Sequence, residues 1–251
     1  MANTQHLPPA VDTAAPAGRR ITRRVLIGGL GALVASPAVV ACRTPESEES
    51  AMTTSTGPSS VVDLPSPTEG TLPLEVTLRR RRSVREFTAE SLTVAEVGQL
   101  LWAAQGVTID LGGRTAPSAG ALYPLELYAV TPNRTMRYIS DRHRAEITTE
   151  HDLRSDLMAA AHDQEAVGRA PLVVAVVVVE ARTAAKYGDR ASRYVDLEAG
   201  HAAQNLLLQA VAIDLAAVSI GAFDDAAVGT VLQLPDGHEP RYLLAVGHPR
   251  I

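Results

Sequence analysis

A chain of 251 residues with 46% apolar side chains can build one or two packed domains. Its formal net charge of −5 weighs against nucleic-acid binding. The single cysteine, Cys42, excludes an intrachain disulfide and a cysteine-based metal site, and the seven His residues show no H-E-x-x-H or comparable spacing, so no metal is expected.

Residues 1–41 read as a targeting segment rather than fold. Thr22-Arg23-Arg24-Val25-Leu26 is a twin-arginine pattern, preceded by Arg19-Arg20. The apolar stretch from Val25 to Val40 contains Pro37 and is short for a membrane span but long enough for a signal h-region. Val39-Val40-Ala41-Cys42 resembles a lipobox, in which Cys42 would be lipidated after export by a Tat-like route to the outer side of the cytoplasmic membrane. A simple membrane anchor with an incidental cysteine is the plainer reading. This segment holds four of the 23 basic residues and one of the 28 acidic ones, so the remainder is more acidic still. It lacks a polybasic patch for anionic lipid headgroups, and any membrane contact would come through the signal or the lipid.

Residues 42–70, rich in Ser, Thr, Pro and Glu, read as a disordered tether. One domain is expected over 71–251. It opens on Arg79-Arg80-Arg81-Arg82-Ser83-Val84-Arg85-Glu86-Phe87. If extended, this stretch presents Arg81, Ser83 and Arg85 on one side, two guanidinium forks and a hydroxyl suited to one phosphate, with Phe87 as an apolar anchor. On charge alone it would be a solvated basic stretch.

Thr93 and Glu96 predict a capping box, and Leu92 with Val97 a hydrophobic staple, for a helix to about Gln105 ending at Gly106 as a C′ glycine. The loop Pro117, Ser118, Ala119, Gly120, Ala121 consists of small residues that let backbone approach a flat ligand, and Gly120 can take a positive φ. Strands are expected at 125–131 and 135–140, a helix at 150–162, and a strand buried on both faces at 172–179. The long helix Tyr194–Leu215 carries the stripe Val195, Ala199, Ala202, Leu206 and Ala210, widened by Ala203, Leu207 and Val211. Either the domain's own core or a second subunit could cover it. Asp224 caps a short helix to about Leu232, and Arg241 to Val246 is the last strand. These elements make an α+β sandwich with a small central sheet.

R-R-S-V-R-E-F, P-S-A-G-A-L-Y-P-L-E-L-Y, Y-V-D-L-E-A-G-H-A-A-Q-N-L-L-L-Q-A, V-S-I-G-A-F-D-D and Y-L-L-A-V-G-H-P, in this order from about Leu78 to Pro249, resemble the nitroreductase-like flavin family, and among its branches the SagB/ThcOx-type dehydrogenases. The resemblance implies a three-layer sandwich with a mainly antiparallel sheet, an interlocked homodimer, and non-covalent FMN at the subunit interface. It implies that Arg81, Ser83 and Arg85, with Arg82 beside them, hold the phosphate and ribityl chain. Pro117, Ser118 and Gly120, with Ala119 and Ala121, would lie against the ring, and Ile220, Gly221 and Ala222 would bring backbone N–H groups to its N5 and O4 edge. Gln204 and Asn205 match the dimer helix, where they contact flavin or simply satisfy the subunit interface. Lys186 and Tyr187 match a Lys-Tyr pair implicated in proton removal, although a surface Lys is the commoner case; His201 reads as packed. Many nitroreductases have Asn where this chain has Ala121, and longer members carry a basic phosphate contact in a tail, a role left here to Arg250. The implied activity is hydride transfer between flavin N5 and an unassigned small molecule or modified peptide, with an unknown redox partner. The alternatives are a non-catalytic flavin- or ligand-binding lipoprotein and an NAD(P)H nitroreductase.

Overall fold

The computed structural model describes residues 60–109 and 112–250. The signal segment, Cys42 and residues 42–59 of the expected tether lie outside them. In chain order the elements are β1 (Val61–Asp63), α1 (Leu74–Arg80), α2 (Val94–Gln105), β2 (Leu125–Val130), β3 (Thr135–Ile139), β4 (Arg144–Thr149), α3 (Arg154–Ala160), α4 (Glu165–Arg169), β5 (Leu172–Val178), α5 (Glu180–Tyr187), α6 (Ala191–Ala212), β6 (Ala216–Ile220), α7 (Asp225–Val231) and β7 (Glu239–Gly247). The strands form one antiparallel sheet in the order β1-β4-β3-β2-β5-β7-β6.

Central β5 dictates the layering. Its side chains alternate between faces, and all seven residues are buried. Leu172, Val174, Val176 and Val178 meet α2 and α6, while Val173, Ala175 and Val177 meet α3, α4 and α7. The result is a three-layer sandwich, and each fully buried Leu or Val on these faces contributes about 2 kcal/mol of transfer free energy. The stripe of α6 lies inside the first of these cores, so this domain's own sheet and α2 cover it. The outward face of α6 exposes Leu197, His201 and Gln204.

α2 begins as its sequence requires. Glu96 N donates to Thr93 Oγ1 at 3.2 Å and Thr93 N to Glu96 Oε2 at 2.7 Å. It ends at Gly106, but that residue is extended (φ −67°, ψ 148°) rather than left-handed. Glycine is required for a different reason: a Cβ here would lie 2.0 Å from the Trp102 ring.

Other expectations need correction. The central sheet has seven strands and is larger than the small one expected. Residues 61–70 do not belong to a tether, because β1 pairs with β4, Leu64 enters the core, and Thr68 exchanges hydrogen bonds with Gln99. The helix expected at 150–162 covers only Arg154–Ala160. The long helix stops at Ala212, where Asp214 turns left-handed (φ 58°) and frees 216–220 to pair as β6.

Candidate functional site

Strand register gathers three connections at one end of the sheet. Leu125 of β2 pairs with Val178 of β5, which pairs with Glu239 of β7. The loop before β2, helix α5 after β5 and the turn after β6 therefore emerge on the same side, and a Cβ on Gly221 would touch the Tyr242 ring at 3.6 Å.

The small-residue loop is a tight, pinned turn. Ala121 N donates to Ser118 O (3.1 Å) and Tyr123 N to Ser118 Oγ (2.9 Å). Gly120 has φ +64°, and Ala121 and Tyr123 follow at +54° and +46°. Two left-handed non-glycine residues in such a short stretch cost about 1 kcal/mol or more each and persist only where neighbours hold them. The holding contacts are in place. Asn205 Nδ2 on α6 donates to Thr115 O (3.2 Å), and the Arg114 guanidinium lies 4.5 Å over the Tyr123 ring while donating to Gln105 Oε1 (3.0 Å). Pro117, Gly120 and Ala121 are exposed, and Ser118 and Ala119 half-buried.

Lys186 and Tyr187 come against this loop. They close α5, where E-A-R-T-A-A-K-Y is built mostly of good helix formers with Thr183 facing inward. A Cβ on Gly120 would stand 2.9 Å from both Lys186 Nζ and Tyr187 Oη. Tyr187 packs edge-on against Tyr194 at 5.0 Å, and Lys186 Nζ lies 5.4 Å from the Tyr187 ring centre.

The arginine segment forms a second pole. α1 takes in Arg79 and Arg80, so only the residues after it are extended. Arg82 turns back: its Nη1 donates to Arg79 O and Arg81 O, both at 2.7 Å, and the guanidinium caps α1. Ser83 bridges Ala217 at the free edge of β6, and Val84 N donates to Ala217 O (3.2 Å). Phe87 is buried as expected, pairing with Pro249, while Arg250 N donates to Glu86 O (3.2 Å). Arg85 and Arg250 thus line one cleft with Phe87 and with Arg169 of α4, a residue the sequence did not single out.

The two poles are separated. β7 and β5 stand between β6 and β2, three strand spacings or about 14 Å. Along β6, Ala217 beside Ser83 and the Gly221 turn are about 13 Å apart. Gly221 and Ala222 are exposed, and the Ala222 carbonyl is fixed inward by Gln164 Nε2 (2.8 Å). Ile220 is buried in the core, so its side chain is not available to a ligand. Gln204 lies on the outward face of α6.

One functional candidate escaped the sequence reading. Glu198, on α6 beneath the loop, is 2% exposed, and its Oε1 has no hydrogen-bond partner. Burial raises its carboxyl to about 7 against the opposing pull of the Ser118 hydroxyl, the Arg114 charge and the Gln105 amide. The signal was a Glu inside an apolar stripe, three residues after Val195 and one before Ala199.

Comparison with known proteins agrees with this architecture. The nitroreductase family profile matches residues 78–248, from the end of α1 to just past β7. A protein of Methanocaldococcus jannaschii that carries a nitroreductase name is 39% identical over 180 residues, covering 69% of this chain and 90% of its own length. A crystal structure from Ralstonia eutropha, likewise named for a nitroreductase, superposes with a TM-score of 0.70 at 32% identity, over 76% of this chain and 90% of that one. The NADPH:FMN oxidoreductase of Vibrio harveyi, solved with NAD+, shares the fold with a TM-score of 0.54 at 24% identity, over 71% of this chain and 69% of that one. With the profile running through the arginine segment, the small-residue loop, α6 and the β6 turn, this chain belongs to the nitroreductase family.

Proposed function

We propose that this chain is an FMN-dependent oxidoreductase acting on a small organic molecule. The observation that carries this reading is a pair of poles of complementary chemistry, one along the outer edge of β6 and the other at the loop before β2. At one, Ser83 and the cations around it offer charge and a hydroxyl; at the other, Gly120 leaves the loop bare of side chain. Those residues fit an elongated ligand with an anionic end and a flat end. Arg81, Ser83 and Arg85 would hold the phosphate, with Arg250 beside Arg85. Ser118, Ala119, Gly120 and Ala121 would lie along the ring. Gly221 and Ala222 would direct backbone N–H groups to its polar edge, where fixed donors stabilise developing negative charge. When bound, FMN supplies hydride chemistry that no side chain provides.

Two finer readings differ in the electron partner. Relatives that carry nitroreductase names, and the Vibrio harveyi enzyme solved with NAD+, support an NAD(P)H-driven nitroreductase. The placement of Lys186 and Tyr187 against Gly120 favours a SagB/ThcOx-type dehydrogenase, in which this pair moves a substrate proton. We further propose a homodimer that covers Leu197, His201 and Gln204 on α6, and export with lipidation at Cys42, supported by the twin-arginine and lipobox-like sequences. Export would remove the chain from cytoplasmic NAD(P)H and so bears on the choice of partner.

The test is purification of the full chain with FMN. A yellow protein whose flavin is bleached by a reductant and restored by an acceptor supports the oxidoreductase. A colourless protein that takes up no FMN overturns it, and a flavin that never changes redox state with NAD(P)H, quinols or candidate substrates leaves only a binder. Rapid bleaching by NADPH alone selects the nitroreductase reading. Membrane fractionation of the parent and of Cys42→Ala tests the anchor.

A further inference from the structure

Ser118 stands between the buried cluster and the exposed loop. Its hydroxyl has one proton and two acceptor positions, and one of those already receives Tyr123 N–H at 2.9 Å. On the inner side, Glu198 faces Ser118 from α6, Gln105 from the end of α2 and Arg114 from the loop base. Gln105 is 1% exposed, and its Nε2, like Arg114 Nε and Glu198 Oε1, has no partner of good geometry. A buried carboxylate with so few donors draws on every one within reach, and the Ser118 O–H is one of them.

We propose that Glu198 is a positioning residue whose own protonation decides which way the Ser118 hydroxyl points, and hence whether the small-residue loop offers a hydrogen-bond donor to the ligand bound against it. Ionised Glu198 accepts the Ser118 proton and holds it inward. Protonated Glu198 donates to Ser118 Oγ instead. Tyr123 N–H and the Glu198 O–H then fill both acceptor positions, and the Ser118 proton turns outward. Both states are populated near neutrality, since burial brings the carboxyl to about 7.

Other charged and titratable groups pack around this loop, with Lys186 and Tyr187 at the end of α5 coming against Gly120 on its outer side. Arg114 is the cation facing Glu198, and it also stacks on Tyr123 and lies 3.6 Å from exposed Asp141. From α5, Arg182 is engaged with Tyr123 O and Glu126 rather than with Glu198. Neither Gln105 nor Ser118 titrates in this range, which leaves Glu198 to set the midpoint. For the identity of the ligand this inference rests on the FMN reading; the hydroxyl switch does not.

The experiment uses the full chain and follows two signals across about pH 5 to 9. One is the Tyr123 backbone amide shift in FMN-free protein. The other is FMN affinity from quenching of flavin fluorescence, expressed at each pH relative to Ser118→Ala so that the second ionisation of the FMN phosphate, at about pH 6, cancels. The parent is expected to show a step in the Tyr123 amide near neutral pH, with FMN bound about fivefold tighter on the acid side, the worth of one net hydrogen bond. Glu198→Gln, which keeps the shape and holds its proton, should show no step and keep the acid-side affinity throughout. Ser118→Ala should match the parent's basic-side affinity, while the Glu198 carboxyl still titrates. A parent amide without a step, or a Glu198→Gln variant that retains it, overturns the switch. A chain that shows the amide step but binds no FMN at any pH overturns the FMN reading and leaves the switch standing.

Discussion

Lys186 Nζ lies 2.9 Å from the position that a Cβ on Gly120 would occupy, and the Tyr187 hydroxyl lies at the same distance. Gly120 also sits at φ +64°, a conformation that costs an L-residue about 1 kcal/mol. Gly120→Ala is therefore expected to lower stability by about 1 kcal/mol, since the flexible Lys186 terminus can move aside. The larger loss should be in FMN retention, because the added methyl stands where the loop meets the pair. Thermal unfolding and flavin content of the purified variant measure the two effects separately.

If Lys186 and Tyr187 move a substrate proton, Lys186→Met and Tyr187→Phe should leave flavin content unchanged. Turnover should fall by about 100-fold, the lower range for loss of a general acid or base. An NAD(P)H nitroreductase that takes its proton from solvent would lose little in either variant. Stopped-flow reduction and reoxidation of the bound flavin distinguish the cases.

Glu198 makes stability depend on pH with a definite sign. Its carboxyl is raised in the folded chain, so the folded state holds a proton that the unfolded state releases. Its stabilising contribution is full below about pH 4.5 and is lost as pH rises to about 7, amounting to about 3 kcal/mol across that window. Denaturant midpoints for the parent should fall relative to Glu198→Gln over this range. Parallel curves for the two proteins would place the carboxyl at its ordinary value.

Much of the fold was legible where one local rule dominated. The capping box at Thr93, the cap at Asp224 and the double-faced apolarity of 172–179 each specify an element without reference to the rest of the chain. β1, β4 and β6 were not legible, because three to six residues carry too short a period and owe their pairing to distant neighbours. In the site, small residues and an arginine cluster are visible as composition. That Gly120 meets Lys186, and that Arg82 folds back onto α1, depends on where α1 and α5 end. Glu198 looked like part of a helix; only its burial against Gln105 and Arg114 makes it chemical.

The arginines should divide by role. Arg81→Ala and Arg85→Ala are expected to weaken FMN binding by about tenfold or more, since each removes a charged partner of a phosphate. Arg82→Ala should leave FMN affinity within about twofold and instead lower stability by about 0.5 kcal/mol, because its guanidinium caps α1 through two carbonyls. FMN titration of the three apo-variants separates them. Loss of FMN in Arg82→Ala alone would reverse the assignment.

Gly106→Ala tests packing at the end of α2, where Gly106 O also accepts from Thr115 N at the base of the small-residue loop. The new Cβ would lie 2.0 Å from Trp102 Cδ1, and Gly106 N must stay in place because it donates to Trp102 O at 2.6 Å. The ring is rigid, so either the indole leaves its rotamer or the helix end shifts; overpacking of this kind costs about 1 to 3 kcal/mol. Trp102 is the chain's single tryptophan, which makes its emission a local reporter. The variant should unfold at lower denaturant and show an altered Trp102 spectrum while still folded. An unchanged spectrum with unchanged stability would mean that α2 ends loosely enough to absorb a side chain at Gly106.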